Sequence, residues 1–421
     1  MCRTGLVLLF AILFCCGAPS AAAAQNRAVN LGSDLLKLPA VRSAVDFARA
    51  DEMRTLADQI RICEVEAPPF QEAQRAQLYA QMFREVGLKN VRIDAEGNVI
   101  GERPGAAARP NLVMSAHLDT VFPRGTNVKV RRQGYILRGP GIGDDCRGLA
   151  DLVATARALN DAGVMTPGTI TFVGTVGEEG LGDLRGVKRL FNETLKDRVD
   201  RFISLEGSGL GITHIAIGST RFRVTFKGPG GHSFGSFGIV NPVHALGRAV
   251  DRIAEFQVPH SPRTTFNVGR IGGGTSVNTI APEAWMEVDL RSGDASALSA
   301  LEKEFRQAVQ DAVAEENLRW NSKALTVSIE TVGRRPAGRL PATAPIVQAA
   351  VSVSQALNLP VSFAEGSTDA NLPLSLGIPA LTIDSGGRSE GAHTENEMYD
   401  ATDAWKGTQR AVLLAVALAQ P

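Results

Sequence analysis

The chain has 421 residues, with 44 basic and 44 acidic side chains. That length suits two or three domains with real cores, and the charge balance lacks the basic surplus of a nucleic-acid binder. Glycine is abundant at 43 residues and aromatics are few at 5%, which favours an α/β enzyme with many tight loops over a binding surface built on aromatics.

The first 24 residues read as a cleaved signal peptide. Arg3 supplies a positive start, Leu6 to Cys16 an apolar stretch too short to span a bilayer, and Ala21 to Ala24 small residues for cleavage before Gln25. The expectation is a secreted or periplasmic protein without stable membrane insertion. A lipid on Cys15 or Cys16 is the weaker alternative, because Phe14 or Cys15 stands where a small residue is wanted. The mature chain then keeps Cys63 and Cys146, which form no disulfide framework. A single bridge between them is not expected.

Helices are expected at Asp46–Cys63 and Gln71–Val86, then paired strands at Val91–Asp94 and Asn98–Gly101. Leu112–Ala116 and Gly168–Val176 read as buried strands, separated by a helix at Gly148–Ala162. A helix at Leu184–Asn192 leads to a strand at Arg201–Leu205. Such alternation implies an α/β fold, a mostly parallel sheet with helices on both faces. The texture changes near Gly218. Strands at Thr220–Phe226, Thr264–Val268, Ala284–Leu290 and Leu325–Ile329 surround helices at Pro242–Phe256 and Ala295–Glu315. This is a smaller α+β unit over residues 218–331, inserted between catalytic segments 25–217 and 332–421. The first style resumes with a helix at Ala344–Leu357 and strands near Val361 and at Ala380–Ile383.

The chemistry gathers where apolar runs end. His117-Leu-Asp119 closes one run, and Gly-Glu178-Glu179-Gly and Leu-Glu206-Gly close two more. Gly-Asp144-Asp145 and Gly-Ala-His393-Thr complete the set. Ligands in such sheets bind beyond the carboxyl ends of the strands. Two histidines with several carboxylates suit a two-metal hydrolytic centre, with zinc preferred and manganese or cobalt admissible. Two adjacent cations repel, so an acid must bridge them.

Each motif also has a plainer reading. A lone His-x-Asp is usually a core histidine bonded to an acid. Of Asp144 and Asp145, one can cap the following helix while the other coordinates. Of Glu178 and Glu179, one can face metal and the other the attacking water. His232, in Gly-Pro-Gly-Gly-His-Ser, can donate to an oxyanion or simply be an exposed loop histidine. His214, His244 and His260 show no partner motif and read as structural or solvent-facing.

From about Asp46 to the C-terminus, this motif set resembles the zinc aminoacylase and carboxypeptidase superfamily, which contains glutamate carboxypeptidase, tripeptidase T, succinyl-diaminopimelate desuccinylase and carnosinase. The resemblance implies a catalytic α/β domain with a zinc pair and a lid domain that often forms homodimers. It implies His117 and Glu206 on one metal, Glu179 and His393 on the other, and Asp144 bridging. Asp119 would orient His117 from behind. Glu178 would be the general base, and His232 the oxyanion donor, often in the partner's site. Asn278 and Arg291 match lid positions that hold substrate, Arg291 on a carboxylate; the plainer reading of Arg291 is an ion pair with Asp289 or Asp294. Gly366-Ser-Thr-Asp369-Ala resembles a substrate-side segment of the family. One departure is Cys146, where most relatives have lysine. It reads as a small buried residue at a helix start, with a thiolate ligand as the lesser alternative.

The expected activity is hydrolysis of amide bonds in small peptides. A deacylase of N-acyl amino acids is the near rival, and a non-catalytic metal-bearing binding protein the remote one.

Overall fold

The computed structural model describes residues 30–421. The signal peptide expected over residues 1–24 lies outside the described residues.

A nine-stranded sheet carries the chemistry. Its order is Lys89–Ile93, Val99–Arg103, Thr169–Thr175, Asn111–His117, Arg201–Leu205, Ala380–Ile383, Gly211–Ala216 and Gly338–Arg339, with Ser362–Gly366 also pairing with Gly211–Ala216. The four strands from Thr169–Thr175 to Ala380–Ile383 run parallel, and antiparallel strands flank them. Side chains alternate across a strand, so both faces must be covered. Leu112, Met114 and Ala116 face a core that includes the helices Glu52–Cys63, Cys146–Asp161 and Trp405–Leu418. Val113 faces the opposite core with Val187, Leu190 and Leu374. This explains why the central strands read as unbroken apolar runs.

Residues 218–335 hold a separate four-stranded antiparallel sheet, ordered Thr264–Gly273, Glu283–Ser292, Gly218–Lys227 and Thr326–Arg335. One face presents Phe222, Val224, Met286 and Leu290 to the helices Pro242–Ala254 and Ala295–Arg319. Phe222 stacks on Phe305 at 4.9 Å. The other face carries opposite charges paired across the strands, Arg221 with Asp289 at 3.2 Å and Arg223 with Glu287 at 2.7 Å. The half-exposed alternation of Ala284–Leu290 follows from this one-sided packing.

Two element boundaries differ from expectation for local reasons. The first helical stretch is two helices, Pro39–Ala50 and Glu52–Cys63, broken at Asp51, whose carboxylate binds Arg157. The strand expected at Leu325–Ile329 runs over Thr326–Arg335, because its outer half carries charges that hide the apolar alternation. Among the described residues no helix is long and apolar enough to cross a membrane.

The cysteine expectation is overturned. Cys63 and Cys146 form a disulfide with their Cα atoms 5.6 Å apart, joining the end of one helix to the start of another. Cys146 is therefore neither a free buried thiol nor a thiolate ligand. The two positions are 83 residues apart in sequence, and nothing local announces the pairing.

Candidate metal centre

Three parallel strands end side by side, at His117, Thr175 and Leu205, so the residues that follow share one rim. His117 is buried, and its Nδ1 lies 3.0 Å from the Asp119 main-chain oxygen. A carbonyl can only accept, so Nδ1 carries the proton and Nε2 is the available ligand nitrogen. That Nε2 sits 3.0 Å from Asp144 Oδ1. The second Asp144 oxygen lies 3.1 Å from His393 Nε2, which also meets Glu179 Oε1 at 2.9 Å. Asp144 thus stands between the two imidazoles, one oxygen to each.

The adjacent acids divide their tasks. Asp145 is fully buried and accepts Gly148 N–H at the start of the helix Cys146–Asp161 with one oxygen, and His117 N–H with the other. Asp145 therefore caps the helix and ties it to the ligand strand, while Asp144 faces the opening.

Asp119 does more than sequence suggested. Its carboxylate accepts the main-chain N–H groups of Glu178 at 3.0 Å and Glu179 at 2.8 Å. It stands 3.7 Å from His117 Nδ1, so its own carbonyl rather than its carboxylate orients the ring. Gly177 precedes the acid pair with φ +68°, a left-handed turn that glycine adopts without strain. His393 has φ +64° without that freedom, a strain of the kind that clusters at functional sites.

Glu178 and Glu206 each offer an atom near His117, so proximity alone would admit either as its partner ligand. Their surroundings separate them. Glu178 Oε1 is held by Arg335 Nη1 at 2.8 Å, and Arg335 Nη2 also donates to the Glu178 carbonyl. Glu206 Oε2 is buried and has no hydrogen-bond partner among the described residues. A buried carboxylate oxygen without a partner is costly unless a cation or proton satisfies it. The donor set of two imidazoles and several carboxylates fits divalent zinc, cobalt or manganese.

The electrostatics agree with a cation pocket. Burial pushes Glu178 up to about 8, opposed by the Arg335 and His117 charges. Burial, then the Glu178 charge, raises Glu206 well above the usual carboxylate range. Asp144 and Glu179 raise His393 to about 10. Burial opposes the shift in His117, yet Asp144 and its neighbours still raise it well above normal. Asp144 is held low against its burial by the two imidazoles. The pocket draws positive charge, whether borne by protons or by metal.

The three site residues expected from the inserted unit are placed differently. His232 is exposed, in a two-residue strand paired with Thr279–Ile280. Its Nδ1 accepts N–H groups of Phe234 at 3.3 Å and Gly235 at 3.2 Å, which leaves the proton on Nε2 as a donor. Asn278 is exposed beside it, and its main-chain oxygen accepts Ser233 N–H. Arg291 takes its plainer reading here: Nε donates to Asp289 at 2.6 Å. Among the described residues, no hydrogen bond or ion pair joins these three to the ligand rim.

Sequence reasoning missed two residues at the pocket. Arg335 lay outside every element expected from sequence, just before Pro336, and its buried side chain reaches Glu178 and Ser367. Glu397 follows His393 by four residues, and its fully buried carboxylate accepts N–H groups from Gly141, Gly143 and Asp144. Four residues of spacing after a ligand was the only available signal.

The model of peptidase family M20/M25/M40 matches residues 113–417. The chain is 24% identical over 382 residues to the uncharacterized protein YqjE of Bacillus subtilis (strain 168), covering 86% of this chain and 98% of that one. It is 31% identical over 166 residues to carboxypeptidase G2 of Pseudomonas sp. (strain RS-16), covering 36% and 39% of the two chains. In fold it is similar to a tripeptidase from Staphylococcus aureus, with TM-score 0.72 at 22% identity, over 87% of this chain and 98% of that one.

Proposed function

The chain belongs to peptidase family M20/M25/M40 and is a metal-dependent hydrolase of peptides or acyl amino acids, and from that premise we propose that it is a secreted or periplasmic peptidase of small peptides that works with two divalent ions, zinc by preference. The observation that carries the proposal is Asp144, with one oxygen facing His117 and the other facing His393. His117, Asp144 and Glu206 would hold one ion, and Asp144, Glu179 and His393 the other. Ions bound there would acidify water and polarise the scissile carbonyl.

The remaining steps belong to side chains of the protein. Glu178 takes the proton of the attacking water and returns it to the leaving nitrogen. Its buried, raised carboxyl suits both directions of transfer near neutral pH. Asp119 fixes the turn that points Glu178 and Glu179 apart. His232 donates from Nε2 to the developing oxyanion. Asn278 holds the substrate beside it, and Arg291 exchanges Asp289 for a substrate carboxylate. Phe234, Phe237 and Val277 are exposed around His232 and Asn278, an apolar patch that supports a homodimer through the lid. Secretion is supported by the N-terminal pattern and by the disulfide, which persists in oxidising compartments.

The test is a panel of peptides and N-acyl amino acids, assayed with metal-stripped protein reloaded with zinc, cobalt or manganese. Peptides should turn over best, and Glu178→Gln should lose about a hundredfold or more with metal content unchanged. Faster cleavage of acyl amino acids would favour the deacylase. Near-normal turnover in metal-replete Glu178→Gln would remove Glu178 as the base.

A further inference from the structure

Resting on the two-ion reading, we infer that Glu397 is a positioning residue that sets the bridging carboxylate against the other ligand loop. Asp144 and His393 are 249 residues apart, yet must face the same ion. Their loops are brought together by the pairing of Ile136–Arg138 with Met398–Asp400, which the main chain extends by one bond, Gly139 N–H to the Glu397 carbonyl at 3.0 Å. Beyond that point the ladder stops and the Glu397 side chain takes over. Oε2 accepts Gly141 N–H at 2.9 Å, and Oε1 accepts Gly143 N–H at 2.8 Å and Asp144 N–H at 3.1 Å.

Three N–H bonds accepted by one carboxylate therefore fix the main chain up to and including Asp144. The approach is close. A Cβ on Gly143 would lie 3.0 Å from Glu397 Oε1 and 2.0 Å from Ser389 Oγ, so any larger residue there would have to displace the Ser389 side chain and crowd Glu397. Glu397 N–H in turn bonds to the Thr394 carbonyl, next to His393. One residue thus links the main chain of the bridging ligand to the main chain of the terminal one. Both oxygens of its own carboxylate accept main-chain N–H groups, so it aligns ligands in place of being one.

The consequence separates this role from general support of the fold. Losing the carboxylate releases Asp144, and Asp144 serves both ions, so both binding steps weaken together. Glu397→Gln keeps the size but turns an amide donor towards N–H groups that need an acceptor. The full chain, wild type and Glu397→Gln, is stripped of metal and titrated with zinc against a chromogenic chelator, with circular dichroism to certify folding. The expected result is a ten- to hundredfold loss of affinity in both steps, about the usual effect of removing a residue that supports metal ligands. Activity should return as free zinc is raised. A folded Glu397→Gln with the wild-type isotherm overturns the assignment. Should Glu397→Gln fail to fold, Glu397→Asp is read the same way: its shorter arm draws the oxygens back, so weaker binding supports the role and an unchanged isotherm overturns it. A wild-type isotherm with a single step strikes instead at the two-ion reading, and Glu397 is then judged on that step.

Discussion

Each main ligand loop of the pocket is fastened from behind, whereas the loops bearing His232 and Asn278 are fastened mainly to each other. His117 is held by Asp119 and Asp145, the Glu178–Glu179 turn by Asp119, and the Asp144 loop by Glu397. Cys146, two residues past Asp144, is bolted to Cys63. By contrast, His232 and Asn278 are exposed and joined through Ser233 N–H and a two-residue strand pair. A metal site needs geometry before the metal arrives, so its supports must be permanent. A donor to a developing oxyanion is needed only once substrate is in place, and a lid can deliver it then. With the roles proposed above, the difference would fit two regions built for different moments of one reaction.

The largest expected effect breaks the fastened side. The disulfide closes a loop spanning 83 positions, for which chain entropy predicts roughly 4.5 kcal/mol of stabilisation. Cys63→Ala with Cys146→Ala should lower the unfolding free energy in guanidinium by about that amount. Catalytic rate per folded molecule should stay near wild type, because Asp145 and Glu397 still hold the loop. A loss below about 1 kcal/mol would mean that the bridge merely sits between helices already docked.

The next effect breaks the free side. His232→Ala should lower kcat by about a hundred- to a thousandfold, the scale of a lost oxyanion donor, with metal content unchanged. Mixing His232→Ala chains with Glu178→Gln chains then asks whose site His232 serves. In an equal random mix half the dimers are hybrids with one complete site, so about a quarter of wild-type activity should return if His232 acts across the dimer. No recovery in verified hybrids would confine His232 to its own chain or remove it from the reaction.

Sequence revealed the pocket better than its supports, and the reason is locality. His117, the Glu178–Glu179 pair and Glu206 each end or closely follow an apolar run, so strand and ligand are read in one glance. Asp144 and Asp145 precede a helix, where one acid must cap. The sheet was equally legible, since Ala380–Ile383 and Arg201–Leu205 are runs with clear edges. What stayed hidden depends on residues distant in sequence. Glu397 acts on residues some 250 positions earlier, Arg335 acts on Glu178 at a separation of 157, and Cys63 finds Cys146 across 83. Arg291 was open to two readings from sequence, a substrate carboxylate or an ion pair with Asp289 or Asp294, and the structure shows the Asp289 pair.

The smallest effect sharpens the comparison at the seam between the two regions. Arg335 ends the strand Thr326–Arg335 of the smaller antiparallel sheet, yet its guanidinium is buried against Glu178. Among the described residues it is the one side chain of that antiparallel sheet that directly holds a carboxylate of the rim. A carboxylate acts as a base only when ionised, so kcat/KM must fall as pH drops through its pKa. Burial pushes Glu178 up to about 8, and the Arg335 charge opposes that rise. Removing the charge leaves burial less opposed, so the pKa goes higher and the acid limb moves to higher pH. Bound cations lower the value in both proteins alike, so the difference survives metal loading. Arg335→Gln should therefore shift the acid limb upward by about one unit, the lower end of the range for loss of an adjacent opposite charge. Well above the limb, the variant should recover most of the wild-type kcat, which a misplaced Glu178 would not allow. An acid limb at the wild-type pH with a lowered plateau would show that Arg335 places the Glu178 main chain through its carbonyl bond and does not tune the carboxyl.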